Sequence, residues 1–260
     1  MTDTSKWALI LGGSSGLGLA TAHKLSKHGY NLCVLHRDRR SDMDEIENQF
    51  EVIKSNGVQL HAFNVDATNP AKIEESLKSI SDVLINAKIK VLVHSIAKGN
   101  LKPMISEDKA ELNAQDFQLT INAMGISLYA WTKIILERNL FAKDSRIITF
   151  TSEGSTKAWE GYAAVSAAKA TLESIVRSMA LEFASNGVKV NCIQAGVTDT
   201  KSFRMISNSD MLNKQAIKRN PFNRLTTPED VANVVYLMTL DEAKWINGTL
   251  IKVDGGESLR

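Results

Sequence analysis

Short apolar runs alternate with longer amphipathic stretches along this chain, and no other feature narrows the fold as far. The runs lie at residues 8–11, 31–35, 58–63, 91–93, 146–150, 188–193 and 249–253. Most are continuous and rich in β-branched residues, as strands covered on both faces are. Residues 17–28, 42–55, 70–86, 113–140, 161–185 and 228–239 carry helical periodicity. Gly29 and Gly57 stop two of these helices, and Pro70 and Pro228 stand where first-turn prolines belong. Strand–helix alternation of this kind predicts an α/β fold, a doubly wound parallel sheet of seven strands. The chain has 260 residues, and an α/β domain of that size is commonly a single unit with a full core. We therefore expect one domain over 1–260.

Charge and cysteine usage set aside several classes of function. A net charge of +2 is too small to point to nucleic acid or an anionic membrane as the main partner. Cys33 and Cys192 lie in apolar runs and read as buried free thiols in a reducing compartment. The short polar start has no leader pattern, and no window holds 18 consecutive apolar residues, so the expectation is a cytoplasmic protein with no membrane partner. The five histidines show no metal-ligand spacing, so no metal is expected.

The first strand runs into Gly12-Gly13-Ser14-Ser15-Gly16-Leu17-Gly18 and then a helix. Glycines at this turn let backbone approach a pyrophosphate, whose charge faces the helix N-terminus. The context of strand, glycine turn and helix opening a βαβ unit is the one a dinucleotide-binding Rossmann fold requires. Gly12, Ser14, Ser15, Gly16, Leu17 and Gly18 are the candidate phosphate-side residues. A tight turn without a ligand is the alternative. After the second run come His36-Arg37-Asp38-Arg39-Arg40. An arginine there pairs with a 2′-phosphate, whereas an acid would bond the ribose hydroxyls of NAD. Arg37 favours NADPH over NADH, with Arg39 and Arg40 adding positive field; Asp38 argues the other way.

Over its whole length the chain resembles the short-chain dehydrogenases/reductases. The resemblance implies that Asn64 and Val65 flank the adenine and that the loop after the fourth strand passes under the cofactor. That loop reads His94-Ser95-Ile96-Ala97, similar to enoyl-acyl-carrier-protein reductases rather than to the Asn-Asn-Ala-Gly common in the family. It makes Ser95, Ile96 and Ala97 cofactor-binding candidates. The family's usual Tyr-x3-Lys is also absent. Tyr162 is followed by Ser166 at four residues and by Lys169 at seven, a Tyr-x6-Lys spacing that again resembles the enoyl reductases. The segment 253–259 resembles their NADPH-dependent branch. Seven residues are almost two helical turns, which puts Tyr162 and Lys169 on one face about 10 Å apart along the axis.

By this resemblance Lys169 bonds the cofactor ribose, and Tyr162 stabilises the oxygen of an enolate formed by hydride addition to an enoyl thioester. Ser152 lies 17 residues before Lys169, the place of the family's catalytic serine; it reads equally as a turn cap. Asn122 matches the asparagine of the family's water relay, or is a helix-kink residue bonded to backbone. Gly196, Val197, Thr198 and Thr200 match a segment that orients the nicotinamide. Trp159 reads as acyl-pocket lining or as packing. Residues 201–224 interleave basic and apolar side chains, suiting a substrate lid whose outer face meets an acidic carrier protein, or an ordinary amphipathic helix. The resemblance further implies an acyl thioester substrate, carried on acyl carrier protein, and a homotetramer. Reduction of a ketone, such as a 3-oxoacyl thioester, is the competing activity; Ser152 and Asn122 lean towards it.

Overall fold

The computed structural model describes residues 6–206 and 209–260. Its seven strands are β1 (Lys6–Leu11), β2 (Asn31–His36), β3 (Leu60–Asn64), β4 (Lys88–His94), β5 (Phe141–Ser152), β6 (Val188–Ala195) and β7 (Leu250–Val253). All neighbours pair in parallel, in the order β3-β2-β1-β4-β5-β6-β7. The helices are α1 (Gly16–Lys27), α2 (Met43–Lys54), α3 (Pro70–Leu84), α4 (Ala114–Ile121), α5 (Ser127–Glu137), α6 (Ala163–Glu182), α7 (Lys201–Arg204), α8 (Ser209–Arg219) and α9 (Pro228–Leu237).

Strand alternation divides the core into two layers. Leu9 and Leu11 of β1 pack with Leu77 of α3, Trp131 of α5 and Leu172 of α6. Ala8 and Ile10 face the other way, onto Leu25 of α1, Phe50 of α2 and Val235 of α9. Burial on both faces is why the five inner strands read as continuous apolar runs, while the edge strands β3 and β7 are only partly covered. Cys33 and Cys192 are buried and unpaired. The expected caps are in place. Asn69 caps α3 through Ala71 N with Pro70 in the first turn, and Thr227 and Asp230 form a capping box ahead of Pro228.

Two expectations need correction. The helix expected over 113–140 is interrupted. Asn122–Ile126 is a π-helical turn, with Ser127 N–H bonded to the Asn122 carbonyl. Gly125 lets this turn lie close to α6, because a Cβ there would stand 3.4 Å from the Ala168 carbonyl oxygen. The stretch Ala114–Glu137 is long and apolar enough to match a membrane span by length and composition; burial of Leu128, Trp131 and Ile135 in the core accounts for its apolar character. The helix expected from 161 starts at Ala163, after Gly161 turns the chain at φ +71°. The 201–224 segment, read as a substrate lid or an amphipathic helix, carries α7 and α8; its residues 207 and 208 lie outside the described residues.

In the sheet order β1 and β4 are neighbours, with β2 and β3 on one side and β5 to β7 on the other. Successive crossovers therefore leave the sheet in opposite directions at the carboxyl ends of β1 and β4. A crevice opens at such a switch point.

Candidate active site

The crevice is a cleft of about 430 Å³ along the carboxyl ends of the strands. Its phosphate-side wall is backbone. Gly12 N–H donates to the Leu35 carbonyl at 2.8 Å, and Ser95 N–H to the Leu11 carbonyl at 2.8 Å, so the glycine turn and the β4 loop are both tied to the central strands. Gly12 has φ +86°, and a Cβ there would stand 2.5 Å from the Ser95 carbonyl oxygen. Only glycine fits. Ser15 is the N-cap of α1 but makes no side-chain cap bond, and the first turn holds no acid. The first amides of α1 are left to a ligand, as anion binding at a helix start requires. A glycine cradle, an uncapped helix start and an elongated cleft fit a dinucleotide.

The chemical end is built from side chains. Tyr162 precedes α6 as its N-cap residue, and its ring packs on Gly154, where a Cβ would meet the ring at 2.5 Å. Its hydroxyl lies 3.3 Å from Ser152 Oγ at the end of β5. Burial pushes the phenol pKa upward, the Ser152 bond opposing. Lys169, two turns along α6, is buried and donates from Nζ to the Phe150 carbonyl at 2.7 Å. Burial pulls its pKa down to about 8, against the smaller opposing pull of Cys192 and Glu173. An ammonium has three donors, so two remain for a ligand in the cleft. Beyond Tyr162 the wall is apolar: Met124 and Val165 pack with Leu101, Trp159 and Ile206. The Trp159 and Tyr162 ring centroids are 5.1 Å apart.

Comparison with known proteins resolves the family. Residues 12–258 match the profile of the family described as enoyl-(acyl carrier protein) reductase. The chain is a short-chain dehydrogenase/reductase. Oxidoreductase UcpA of Salmonella typhimurium is 30% identical over 98% of this chain and 95% of its own length. The 3-oxoacyl-[acyl-carrier-protein] reductase FabG of Staphylococcus epidermidis is 27% identical over 97% of this chain and 98% of its own. The crystal structure of enoyl-[acyl-carrier-protein] reductase (NADH) from Aquifex aeolicus VF5 superimposes with a TM-score of 0.81 at 24% identity, covering 98% of this chain and 97% of that one. This short-chain dehydrogenase/reductase is accordingly an oxidoreductase with a nicotinamide cofactor.

Most of the residues singled out from the sequence converge on the cleft. Gly12, Ser14, Ser15, Gly16, Leu17, Arg37, Val65, Ser95, Ile96, Ala97, Gly196, Val197, Thr198 and Thr200 all line it, as do Ser152, Tyr162 and Lys169. Three do not. Gly18 packs inside the turn, where a Cβ would stand 2.0 Å from the Gly12 carbonyl oxygen; it shapes the cradle without facing a ligand. Asn64 turns away to bond Asp38. Asn122, at the π-turn, is exposed and outside the cleft wall, because the π-turn rotates Ala123, Met124 and Gly125 inward instead.

Two of these groups already have partners within the chain. Val197 N–H is already bonded to Glu257 Oε2 at 3.0 Å, and Thr200 Oγ1 accepts from Phe203 N–H as the cap of α7. These groups hold the loop in place before any ligand arrives. Arg219 of α8 bridges Glu153 at 3.1 Å and Glu257 at 2.6 Å, so the end of α8 is fastened to the residue after Ser152 and to the acid that holds Val197.

The cleft also holds residues the sequence did not flag. Asp66 lines it beside Ala67 and Thr68, two residues beyond the expected Asn64. Burial would raise the Asp66 carboxyl, but bonds from the Thr68 hydroxyl and amide and from Lys98 outweigh it and hold the pKa at about 2. Arg37 reaches Asp66 Oδ2 at 3.1 Å, and Lys98 reaches it at 3.0 Å. An acid–Ala–Thr run before a capped helix was the available signal. His94 is buried beneath the cleft. Ser127 Oγ is 2.8 Å from His94 Nε2 and also lies 2.7 Å from the Ala123 carbonyl oxygen, to which it donates. The ring therefore donates from Nε2 and is neutral; burial and then the Lys169 charge pull its pKa to about 3.

Proposed function

We propose that the enzyme reduces the 2,3 double bond of an enoyl thioester with NADPH. NADPH held in the cleft would supply a hydride to the β-carbon, and a solvent proton taken up at the α-carbon would complete the reduction. Tyr162 donates a hydrogen bond from its hydroxyl to the thioester carbonyl oxygen and stabilises the negative charge that develops there. Lys169 bonds ribose hydroxyls with its two free donors and adds positive potential beneath Tyr162. Burial of both groups in a low-dielectric pocket strengthens these interactions.

The observation that carries this reading is the apolar wall of Leu101, Met124, Trp159, Val165 and Ile206 running directly off Tyr162. It suits an acyl chain whose one polar end meets the tyrosine hydroxyl. The Tyr-x6-Lys spacing and the His94-Ser95-Ile96 loop point the same way, as does the family profile. Arg37, exposed at the adenosine end, supplies the charge for a 2′-phosphate. The same reading entails a cytoplasmic homotetramer, with the exposed Lys214 and Lys218 of α8 meeting an acidic carrier protein.

One observation favours a second reading, reduction of a 3-oxoacyl thioester or another ketone. Ser152 and Tyr162 hydroxyls 3.3 Å apart can hold a single carbonyl oxygen between them, and Tyr162 would then donate its proton to that oxygen. The relative from Staphylococcus epidermidis bears a 3-oxoacyl reductase name. Steady-state NADPH oxidation separates the two. Turnover of crotonyl thioester without acetoacetyl thioester is the expected result, and the reverse pattern sinks the enoyl reading.

A further inference from the structure

We infer that His36 and Asn64 set the dinucleotide preference by engaging Asp38 so that its carboxylate does not turn onto the cofactor ribose; the inference rests on the NADPH reading above. His36 ends β2 and Asn64 ends β3, and the two are register partners. Asp38 follows two residues after His36 and lines the adenosine end of the cleft. An unoccupied carboxylate at the end of this strand accepts both ribose hydroxyls of NAD and repels a 2′-phosphate.

Asp38 is not unoccupied. Its Oδ2 lies 2.9 Å from Nδ1 of His36. A carboxylate can only accept, so the imidazole donates from Nδ1. That ring is 3% exposed and stands edge-on to Phe50 at 5.7 Å, which fixes its direction. Asn64 clamps the Asp38 backbone from both sides: Asp38 N–H donates to Asn64 Oδ1 at 3.2 Å, and Asn64 Nδ2 donates to the Asp38 carbonyl at 3.1 Å. Turning the carboxylate into the cleft breaks the imidazole bond and works against this clamp.

Arg37, between the two clamped residues, also lines the cleft, and its side chain is 59% exposed. Its partner Asp66 also holds Lys98, so Arg37 can turn onto a phosphate without leaving Asp66 unpaired. His36 and Asn64 are thus positioning residues. They act through Asp38 and Arg37 and need not touch the cofactor.

The test is calorimetric measurement of Kd for NADPH and for NADH, without substrate, on the full chain. The native protein is expected to bind NADPH more tightly. His36→Leu should shift the NADPH/NADH preference roughly tenfold towards NADH, the scale of one charge-assisted hydrogen bond. Adding Asp38→Asn should restore the NADPH preference, because the freed group no longer carries charge. Asn64→Ala, which leaves the His36 ring in place, should shift the ratio the same way by about threefold, and it carries the test if His36→Leu does not fold. Equal weakening of both dinucleotides in the single variants would reduce the clamp to a structural role and overturn the inference. A native preference for NADH would instead overturn the NADPH reading itself, and the clamp with it.

Discussion

The two ends of the cleft are made from different material. The phosphate end is backbone: a glycine turn tied to Leu35, the α1 amides, and the β4 loop bonded to Leu11. The chemical end is side chains brought from β5 (Ser152), the turn before α6 (Tyr162), α6 itself (Lys169) and the segment after α7 (Ile206). A backbone site is specified by where glycine is allowed, and tolerates little else. A side-chain site is specified by separate residues, each replaceable, so one fold can exchange its chemistry while keeping its cofactor.

The sharpest way to break this contrast is at Tyr162. Tyr162→Phe removes one hydroxyl and keeps the ring on Gly154 and Trp159. We expect kcat to fall about 10³-fold, the range for a lost acid or oxyanion partner, with cofactor Kd within about twofold and an unchanged melting temperature. A variant that lost cofactor binding as strongly as turnover would mean that the two ends are not separable.

At the other end the corresponding change is Gly12→Ala. It adds a Cβ 2.5 Å from the Ser95 carbonyl oxygen at φ +86°. Strain of this kind costs about 1–3 kcal/mol, and relief requires the β4 loop to move. We expect cofactor affinity to fall at least tenfold and the melting temperature to drop, while kcat at saturating cofactor changes less than in Tyr162→Phe. If thermal stability and Kd are both unmoved, the turn is not the rigid cradle described here.

The same contrast explains what the sequence disclosed. The inner strands and the glycine turn were legible because burial on both faces and positive φ leave direct marks on residue choice, as at Leu9, Ile10 and Gly12. Lys169 and Tyr162 were legible through spacing. The π-turn at Asn122–Ile126 was not, because one extra residue in a helix leaves the apolar periodicity of 113–140 nearly intact. Asn64 and Asp66 were exchanged for a related reason. Both follow an apolar strand, and only the actual end of β3 at Asn64 decides which side chain reaches the cleft. The anchoring of α8 through Arg219 to Glu153 and Glu257 joins residues 66 and 38 positions apart, and no local pattern marks it.

Asn122 gives the smallest effect and the most discriminating one. By family resemblance it belongs to the chemical end, next to Lys169. In the structure it is exposed, and the π-turn presents Met124 to the cleft in its place. Lys169 is held instead by the Phe150 carbonyl, and the buried polar group on the β4 side is His94 bonded to Ser127. Removing the Asn122 side chain therefore takes nothing from either hydroxyl or the ammonium. Asn122→Ala should leave kcat/KM within about threefold and stability within roughly ±0.5 kcal/mol, as for an ordinary surface position. A loss approaching that of Tyr162→Phe would mean that the π-turn rotates during turnover to bring Asn122 into the cleft. The chemical end would then be assembled by motion, whereas the phosphate end is already built.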